Sequence, residues 1–318
     1  MMGKFVYENR TYTLEPNETV LKCLMRHAVE YPHSCQAGTC QSCLMKTKID
    51  EVNPAWQKGL PETLQAQGYF LACMAAPQCL FQVSVPDEND CEFSAKILDK
   101  KLLNHNVMQV KITLDDLSPW VPGQFLHLIN PHGVIRSYSI ANLPTQDGFI
   151  ELHIKIKPDG LMSQWLMEDA KPLEQVKLRG PFGCCFYINP KQLSFDMLLV
   201  GTGTGLAPLV AIIKSALLQH HPGSITLVHG GLTDEDIYYQ AELEQLSAYF
   251  PSFVYDVCVL QSHGRYKEAS IEKYMLAYLK HPRVTQVYVC GPKETTQKLK
   301  KQAFLAGVSS QAIFSDEF

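Results

Sequence analysis

The chain has 318 residues, of which 46% are apolar and 19% are charged, a composition typical of an ordinary globular protein. A formal net charge of −4 argues against nucleic-acid binding as a main role. No window of 18 apolar residues occurs, so we expect no membrane-spanning helix. The length allows two or three domains, each with a core of its own.

The cysteines indicate a reducing compartment. Their number, eleven, is odd, and the first eight residues lack the apolar core of a signal peptide and already resemble a strand. We therefore expect a cytoplasmic protein with few or no disulfides.

Three of the cysteines stand close together, at a C-x4-C-x2-C spacing, and a fourth follows after 29 intervening residues: Cys35, Cys40, Cys43 and Cys73. This is the ligand spacing of a plant-type [2Fe–2S] cluster. A zinc site more often has two short C-x2-C pairs, and a disulfide framework needs an oxidising compartment. The spacing favours the cluster over both alternatives.

The flanks of this loop predict a small β-grasp domain over residues 1–88. Residues 5–7 and 11–14 read as a hairpin, Thr19 can cap a helix, and residues 44–49 and 81–85 supply further strands. The segment resembles a plant-type ferredoxin. Most of the seven remaining cysteines are expected to be small core residues: Cys23, Cys79, Cys91, Cys184, Cys185, Cys258 and Cys290.

A polar stretch at 86–90 marks a predicted boundary, after which short alternating strands begin. Residues 95–98, 107–114, 124–129 and 149–156 alternate with period two. Repeated strands of this kind with Pro/Gly turns predict a small antiparallel barrel over residues 91–190.

Two local patterns in this segment suit a phosphate-bearing cofactor. Arg136 offers a cation for a phosphate and Tyr138 a ring for an isoalloxazine, while Ser137 and Ser139 provide hydroxyls. The second pattern is a glycine that opens a helical run with a serine in its first turn, in the order Gly160, Leu161, Met162, Ser163. Such a helix start is suited to a pyrophosphate.

Together with Pro-Gly-Gln-Phe at 122–125 and Arg-Gly-Pro-Phe-Gly at 179–183, these patterns resemble the flavin domain of the ferredoxin–NADP reductase family. The resemblance implies a bound flavin. The helix start favours FAD over FMN, because FAD has a pyrophosphate. The expected cofactor-binding set also includes three consecutive strand residues, His153, Ile154 and Lys155.

Residues 191–318 alternate short apolar strands with helical segments at 206–219, 234–249, 270–280 and 294–306. That pattern predicts a parallel sheet covered on both faces. The first strand runs into a glycine-rich loop that predicts a phosphate contact, with a proline early in the following helix: Gly201, Thr202, Gly203, Thr204, Gly205 and Pro208. The loop departs from the standard G-x-G-x-x-G pattern, whose third glycine position is Leu206 here.

A second motif, Cys290, Gly291 and Pro292, ends a later strand, and the two motifs resemble the nicotinamide domain of the same reductase family. The resemblance implies that the glycine-rich loop takes the coenzyme pyrophosphate and that Cys290 lies beside the nicotinamide. Near the C-terminus it places Asp316 beside Cys290, and Phe318 over the flavin where nicotinamide must stack. The expected catalytic set is Ser139, Cys290, Asp316 and Phe318.

The coenzyme prediction is NADH rather than NADPH. No Lys or Arg occurs from 215 to 264, so the end of the second strand lacks a cation for a 2′-phosphate. Asp234 or a neighbouring carboxylate could bind the ribose hydroxyls instead. Arg265 and Lys267 could reach in from the next loop, which leaves NADPH as the alternative.

The domain order resembles that of the reductase components of multicomponent oxygenases, such as those of benzoate dioxygenase, phenol hydroxylase and methane monooxygenase. It also resembles deoxysugar-pathway reductases that serve an iron–sulfur dehydratase. Either resemblance implies electron transfer from NADH through FAD and the [2Fe–2S] cluster to a partner protein. We expect a monomeric reductase with an oxygenase partner. A redox sensor using the cluster alone is the less favoured alternative, because the flavin and nucleotide motifs are intact.

Overall fold

A computed structural model describes residues 3–29, 31, 36, 38, 43–48, 52–60, 62–78, 80–83, 92–114, 120–144, 148–189 and 195–317. The chain divides into two compact units, Met1–Asp90 and Cys91–Phe318. The predicted boundary at 86–90 lies outside the described residues. No helix among the described residues is long and apolar enough to cross a membrane.

The described residues of the first unit form two small sheets and two α-helices around an apolar core. Its strands are β1 (Lys4–Tyr7), β2 (Arg10–Thr13), β3 (Leu44–Lys46), β4 (Tyr69–Leu71) and β5 (Leu80–Gln82), and its helices are α1 (Val20–Arg26) and α2 (Glu62–Ala66). Strands β2, β1 and β5 form one sheet and β3 and β4 the other. The Thr19 side chain accepts a hydrogen bond from the Lys22 amide, which confirms the predicted cap of α1.

The second unit begins with a six-stranded antiparallel sheet in the order β10-β7-β6-β11-β8-β9. The strands are β6 (Glu92–Leu102), β7 (Val107–Leu114), β8 (Phe125–Ile129), β9 (Ile135–Ser139), β10 (Ile150–Lys155) and β11 (Gln175–Phe182), with helix α3 (Leu161–Glu168) after β10. An antiparallel bridge between Ile140 and Leu152 joins the two edges, which makes the sheet barrel-like. The period-two pattern of the sequence places alternate residues on one face of a strand. In β10, Leu152 and Ile154 share such a face and are wholly buried in the barrel core.

The remainder of the second unit is a parallel sheet in the order β15-β14-β13-β12-β16-β17. Its strands are β12 (Asp196–Thr202), β13 (Ile225–Thr233), β14 (Phe253–Gln261), β15 (Lys267–Glu268), β16 (Thr285–Gly291) and β17 (Ile313–Glu317). The helices are α4 (Leu206–Leu218), α5 (Gln240–Tyr249), α6 (Ile271–Tyr278) and α7 (Lys293–Leu305). After β15 the chain returns to pair β16 with the other edge of β12, so the strand order reverses at the carboxyl end of β12. Open parallel sheets bind ligands at such a point.

The fold class expected from the sequence is confirmed: a mixed α+β ferredoxin-like unit, an antiparallel barrel and a parallel α/β sheet. The predicted helix at 234–249 is wrong in its first part. Residues Asp234–Asp236 form a single 3-10 turn, and Tyr239 has a left-handed backbone with φ of 61°, so α5 begins only at Gln240. The departure from helix lets Ile237 and Tyr238 bury their side chains.

Candidate flavin and nicotinamide site

A cavity of about 560 Å³ lies where the barrel meets the carboxyl end of β12. Strands β9 and β10 and the start of α3 supply one wall, and the ends of β12, β16 and β17 supply the other. The lining residues are Phe125, Arg136, Ser137, Tyr138, Ser139, His153, Lys155, Lys157, Gly160, Met162, Ser163, Thr202, Gly203, Thr204, Pro292, Asp316 and Glu317. The cavity therefore brings together residues that the sequence assigned to the flavin and residues that it assigned to the nicotinamide.

The β9 residues offer a charge and a ring to this cavity. Arg136 is exposed, and its Nη1 donates to the carbonyl of Ile135 at 2.7 Å. Burial raises the pKa of Tyr138 to about 12, against an opposing effect of Arg136, so its phenol stays uncharged and presents an apolar ring. A guanidinium next to an apolar ring suits a cofactor with a phosphate and a planar heterocycle.

The turn before α3 is held by Ser163. Its Oγ accepts from the Lys157 amide at 3.1 Å and lies 3.1 Å from the Gly160 carbonyl oxygen. A Cβ on Gly160 would come within 2.5 Å of that Oγ, so a larger residue at position 160 would displace the Ser163 hydroxyl. Ser163 thus shapes the helix start, and its predicted phosphate contact stays a prediction.

The three consecutive residues of β10 have different environments. His153 is a buried part of the cavity wall, whereas Lys155 is exposed at the end of the strand. The side chain of Ile154 points into the barrel core, so this residue can contact a cofactor only through its backbone.

The glycine-rich loop divides into residues that pack and residues that face the cavity. A Cβ on Gly205 would lie 2.1 Å from the Cys290 carbonyl oxygen, and one on Gly201 would lie 2.7 Å from Leu209. Gly203 has a φ of 54°, and a Cβ added there would meet no atom of the described residues within 4 Å. Gly201 and Gly205 therefore allow close packing, and the Thr202–Thr204 segment is left for a ligand.

The rest of the predicted nucleotide set supports this loop. Pro208 is buried in the first turn of α4. A Cβ on Gly291 would lie 2.8 Å from the Thr202 hydroxyl oxygen, while Pro292 lines the cavity.

Three of the four predicted catalytic residues converge. Cys290 and Asp316 are register partners in β16 and β17, and the Ser139 hydroxyl donates to Asp316 Oδ2 at 2.8 Å. Burial raises the pKa of Asp316, with the Ser139 hydrogen bond acting in the opposite direction. The Cys290 Sγ is buried 3.9 Å from the Sγ of Cys185. The fourth residue, Phe318, lies outside the described residues.

Asp234 has a different environment from the one expected for a ribose contact. Its carboxylate accepts from the His263 amide at 2.9 Å, from the Ser262 hydroxyl at 3.2 Å and from the Arg265 amide at 3.4 Å. These bonds anchor the 262–265 loop to the end of β13. Asp234 is also buried and is absent from the cavity lining.

In the first unit, two of the four predicted cluster ligands can be placed. Cys43 and Cys73 are both buried, and the Ala72 amide donates to the Cys43 carbonyl at 2.9 Å, which holds their two segments together. Cys35 and Cys40 lie outside the described residues. Two buried cysteines on neighbouring segments are compatible with one side of an iron–sulfur cluster.

The other cysteines are mostly core residues, as expected. Cys23, Cys185, Cys258 and Cys290 are buried, whereas Cys184 is exposed. Cys79 and Cys91 lie outside the described residues.

Three cavity residues were missed in the sequence: Phe125, Lys157 and Glu317. Phe125 ends the Pro-Gly-Gln-Phe stretch, and Lys157 stands three residues before Gly160, so both positions adjoin patterns that were recognised. Glu317 gives no local signal, because only the pairing of β17 with β16 brings it to the site.

Family models match three consecutive segments. The 2Fe-2S iron-sulfur cluster binding domain matches residues 6–78, the oxidoreductase FAD-binding domain residues 94–187, and the oxidoreductase NAD-binding domain residues 199–301. The reductase subunit of an aromatic O-demethylase from Amycolatopsis sp. is 31% identical over 259 residues, covering 77% of this chain and 76% of that protein. This chain belongs to the ferredoxin–NADP reductase superfamily, among the members with a [2Fe–2S] domain.

Further relatives extend the similarity to the full length of this reductase. The electron transfer component of xylene/toluene monooxygenase from Pseudomonas putida is 26% identical over 318 residues, covering 95% of this chain and 89% of that protein. The crystal structure of a cytochrome P450 reductase from Amycolatopsis covers 99% of this chain and 98% of its own, with a TM-score of 0.70 and 25% identity. The reductase is thus an NAD(P)H-dependent oxidoreductase with FAD and a [2Fe–2S] cluster as its cofactors.

Proposed function

We propose that this reductase oxidises NADH and delivers the electrons through its [2Fe–2S] cluster to an oxygenase component. Relatives that match most of its length are electron transfer or reductase components of toluate 1,2-dioxygenase and naphthalene 1,2-dioxygenase, which supports an oxygenase as the partner. FAD, when bound, accepts the hydride of the nicotinamide as two electrons and releases them singly to the cluster. We further propose a monomer in the cytoplasm, where the odd cysteine count suits a reducing environment.

One observation carries the electron-transfer part of the proposal. A single cavity is lined by Arg136, Tyr138 and Ser139 of the barrel and by Thr202, Gly203 and Asp316 of the parallel sheet. With FAD and NADH bound, this cavity would hold the nicotinamide against the flavin ring. The Ser139 hydroxyl and the Asp316 carboxyl, which are hydrogen-bonded to each other, would lie beside them. The arrangement needs no further acid or base from the chain.

The preference for NADH is supported by the contacts of Arg265 and Lys267, the two cations that could reach a 2′-phosphate. Nη2 of Arg265 donates to Oε1 of Gln240 at 2.7 Å, and the Lys267 ammonium lies 5.0 Å from the centre of the Tyr274 ring. Both cations already have these partners, and residues 215–264 contain no other Lys or Arg. A 2′-phosphate would have to displace one of these contacts.

The test uses the purified full-length protein. We expect the absorbance of a flavin together with a [2Fe–2S] cluster, reduction by NADH, and a larger kcat/KM with NADH than with NADPH. Addition of the oxygenase component that co-purifies with the reductase should then couple NADH oxidation to substrate oxygenation. A larger kcat/KM with NADPH, or transfer to a dehydratase and to no oxygenase, would contradict the respective part of the proposal.

A further inference from the structure

Arg265 lies at the edge of the parallel sheet where the adenosine half of a coenzyme is expected. It is exposed, and no other Lys or Arg occurs between it and residue 215. Its amide donates to the carboxylate of Asp234, which directly follows β13, at 3.4 Å. Strand β13 pairs with β12, where Gly230 is opposite Thr202, so Arg265 and the glycine-rich loop share one edge of the sheet. In such sheets the ribose of the coenzyme lies beyond the second strand, which is β13 here.

The guanidinium of Arg265 is tied to Gln240, the first residue of α5. Its Nη2 donates to Oε1 of Gln240 at 2.7 Å, and the hydroxyl of Tyr266 donates to the same oxygen. The guanidinium carbon also lies 5.1 Å from the centre of the Tyr266 ring. Nε2 of Gln240 donates to Oε1 of Glu244, one turn further along α5, at 2.5 Å. Both ends of the Gln240 amide are therefore engaged, and its oxygen accepts from Arg265 and Tyr266 together.

The backbone before α5 brings Gln240 to this edge of the sheet. Tyr239 has a left-handed backbone with φ of 61°, and the helix begins at the next residue. Ile237 and Tyr238 are buried, which fixes the course of the segment that leads into the helix. Gln240 itself is half-buried, so its amide is held at a defined place beside the loop that carries Arg265.

Gln240 and Asp234 hold Arg265 in different ways. Asp234 accepts from the amides of His263 and Arg265, so it fixes the course of the loop backbone. Gln240 accepts from the guanidinium, so it fixes where the positive charge lies. The carboxylate of Glu244 beside the Gln240 amide adds a negative charge to the same place. The loop can therefore stay anchored while the Arg265 side chain changes its partner.

A 2′-phosphate is what distinguishes NADPH from NADH, and it needs a cation as its partner. A guanidinium suits it best, because it can donate two parallel hydrogen bonds to phosphate oxygens. We propose that Gln240 is the positioning residue that sets the coenzyme preference, because it keeps the Arg265 guanidinium bound to α5 and unavailable to a 2′-phosphate. Arg265 is then a latent 2′-phosphate ligand, which the loss of the Gln240 acceptor releases. The inference rests on the proposed function, since it names the residue behind the preference for NADH.

The test measures binding of the phosphate itself, with 2′,5′-ADP as the probe and 5′-ADP, which lacks the 2′-phosphate, as its match. Both are titrated calorimetrically into full-length, FAD-loaded wild type and Gln240→Leu. Relative to 5′-ADP, the variant should bind 2′,5′-ADP about 2- to 10-fold more tightly than wild type does, because Arg265 no longer has to give up a hydrogen bond. In steady-state kinetics, KM for NADPH should fall relative to KM for NADH by a similar factor. The change should appear in KM rather than in kcat, since the 2′-phosphate is remote from the hydride.

Two double variants identify the cation that is released. The gain in affinity should vanish in Gln240→Leu/Arg265→Ala and persist in Gln240→Leu/Lys267→Ala. Gln240→Glu keeps an acceptor for Arg265 and should bind 2′,5′-ADP no more tightly than wild type. If the leucine variant does not fold, Gln240→Ala takes its place, since it also lacks the acceptor and suits a helix.

The possible outcomes separate this inference from the proposed function. Unchanged affinity for 2′,5′-ADP in the folded variant overturns the inference alone, as does a gain that survives Arg265→Ala, depends on Lys267 or appears in Gln240→Glu. Wild type with a larger kcat/KM for NADPH than for NADH would overturn the coenzyme part of the proposed function, and this inference with it.

Discussion

Ser139 and Asp316 are 177 residues apart, yet the hydroxyl of the first donates to the carboxylate of the second at 2.8 Å. Ser139 ends β9 of the barrel, and Asp316 lies on β17 at the edge of the parallel sheet. The bond therefore ties the two halves of the second unit at the cavity that they share. Asp316 is also the register partner of Cys290, the residue that the sequence predicts to lie beside the nicotinamide.

Asp316→Asn should change how stability depends on pH. Burial raises the folded-state pKa of Asp316 above its ordinary value of 3.8, so the protonated form is favoured in the folded protein. The stability from this group is complete below the ordinary pKa and is lost as pH rises through the raised one. Asn keeps an acceptor for Ser139 but does not ionise. The free energy of unfolding of the variant, relative to wild type, should therefore increase as the pH rises above the ordinary carboxyl pKa of 3.8.

Urea unfolding at several pH values measures this difference. Asp169→Asn serves as the control, because Asp169 is an exposed carboxylate at the end of α3. The difference in free energy of unfolding between variant and wild type should rise with pH. A difference that stays constant or falls would contradict the prediction that ionisation of Asp316 lowers stability.

Two glycines of the same loop should respond differently to alanine. Gly205→Ala places a Cβ 2.1 Å from the Cys290 carbonyl oxygen, so the turn Gly203–Gly205 and β16 must move apart, at a cost of about 1–3 kcal/mol or more. Gly203→Ala meets no described atom within 4 Å, and its φ of 54° costs about 1–2 kcal/mol. The first should lower the melting temperature, and the second should mainly raise KM for NADH. Equal melting temperatures for the two variants would contradict the assignment of Gly205 to packing and Gly203 to coenzyme contact.

Asp234→Ala should loosen a loop rather than alter coenzyme choice. Its carboxylate holds the 262–265 loop through the amides of His263 and Arg265 and the Ser262 hydroxyl. We expect KM to rise by a similar factor for NADH and NADPH, with the ratio of their kcat/KM values unchanged. Glu235→Ala, a change at an exposed neighbour, should leave both constants as in wild type. A ratio of kcat/KM values that shifts toward NADPH would indicate that Asp234 contacts the ribose or its 2′-phosphate.

The sequence was enough to predict the order of the three folds, because each has its own periodicity and its own glycine or cysteine pattern. It was not enough for strands β9 and β11, since Arg136, Ser137 and Ser139 are polar and β11 contains Gly180-Pro181. Nor could it predict that Tyr238 reaches His153, 85 residues away. Such pairs depend on how the barrel packs on the sheet, which no local pattern records. The same holds for Asp234, whose partners come from the next loop.

The cluster ligands can be separated from the other cysteines by replacement with serine. Cys43→Ser and Cys73→Ser should each bleach or destabilise the cluster, because a thiolate ligand is lost, while NADH still reduces the flavin. Absorbance and electron paramagnetic resonance report the cluster, and ferricyanide reduction reports the flavin. Cys23→Ser is the matched control, since Cys23 is buried in the same core and its thiol lies 3.6 Å from the Thr13 carbonyl oxygen. Loss of the cluster in that control and its retention in the other two would reverse the assignment.

Removal of Phe318 tests the prediction that its ring covers the flavin where nicotinamide must stack. Strand β17 runs beside β16 as far as Glu317, whose carboxylate lies 3.3 Å from the Lys300 ammonium, and both Asp316 and Glu317 line the cavity. The residue that follows is thus attached to an anchored strand end. Without a ring to displace, NADH should bind roughly 2- to 10-fold more tightly, and the flavin absorbance should shift. Phe318→Tyr keeps the ring and should behave as wild type in both measurements. A shortened protein with unchanged coenzyme affinity and an unchanged spectrum would mean that Phe318 is a tail with no place over the flavin.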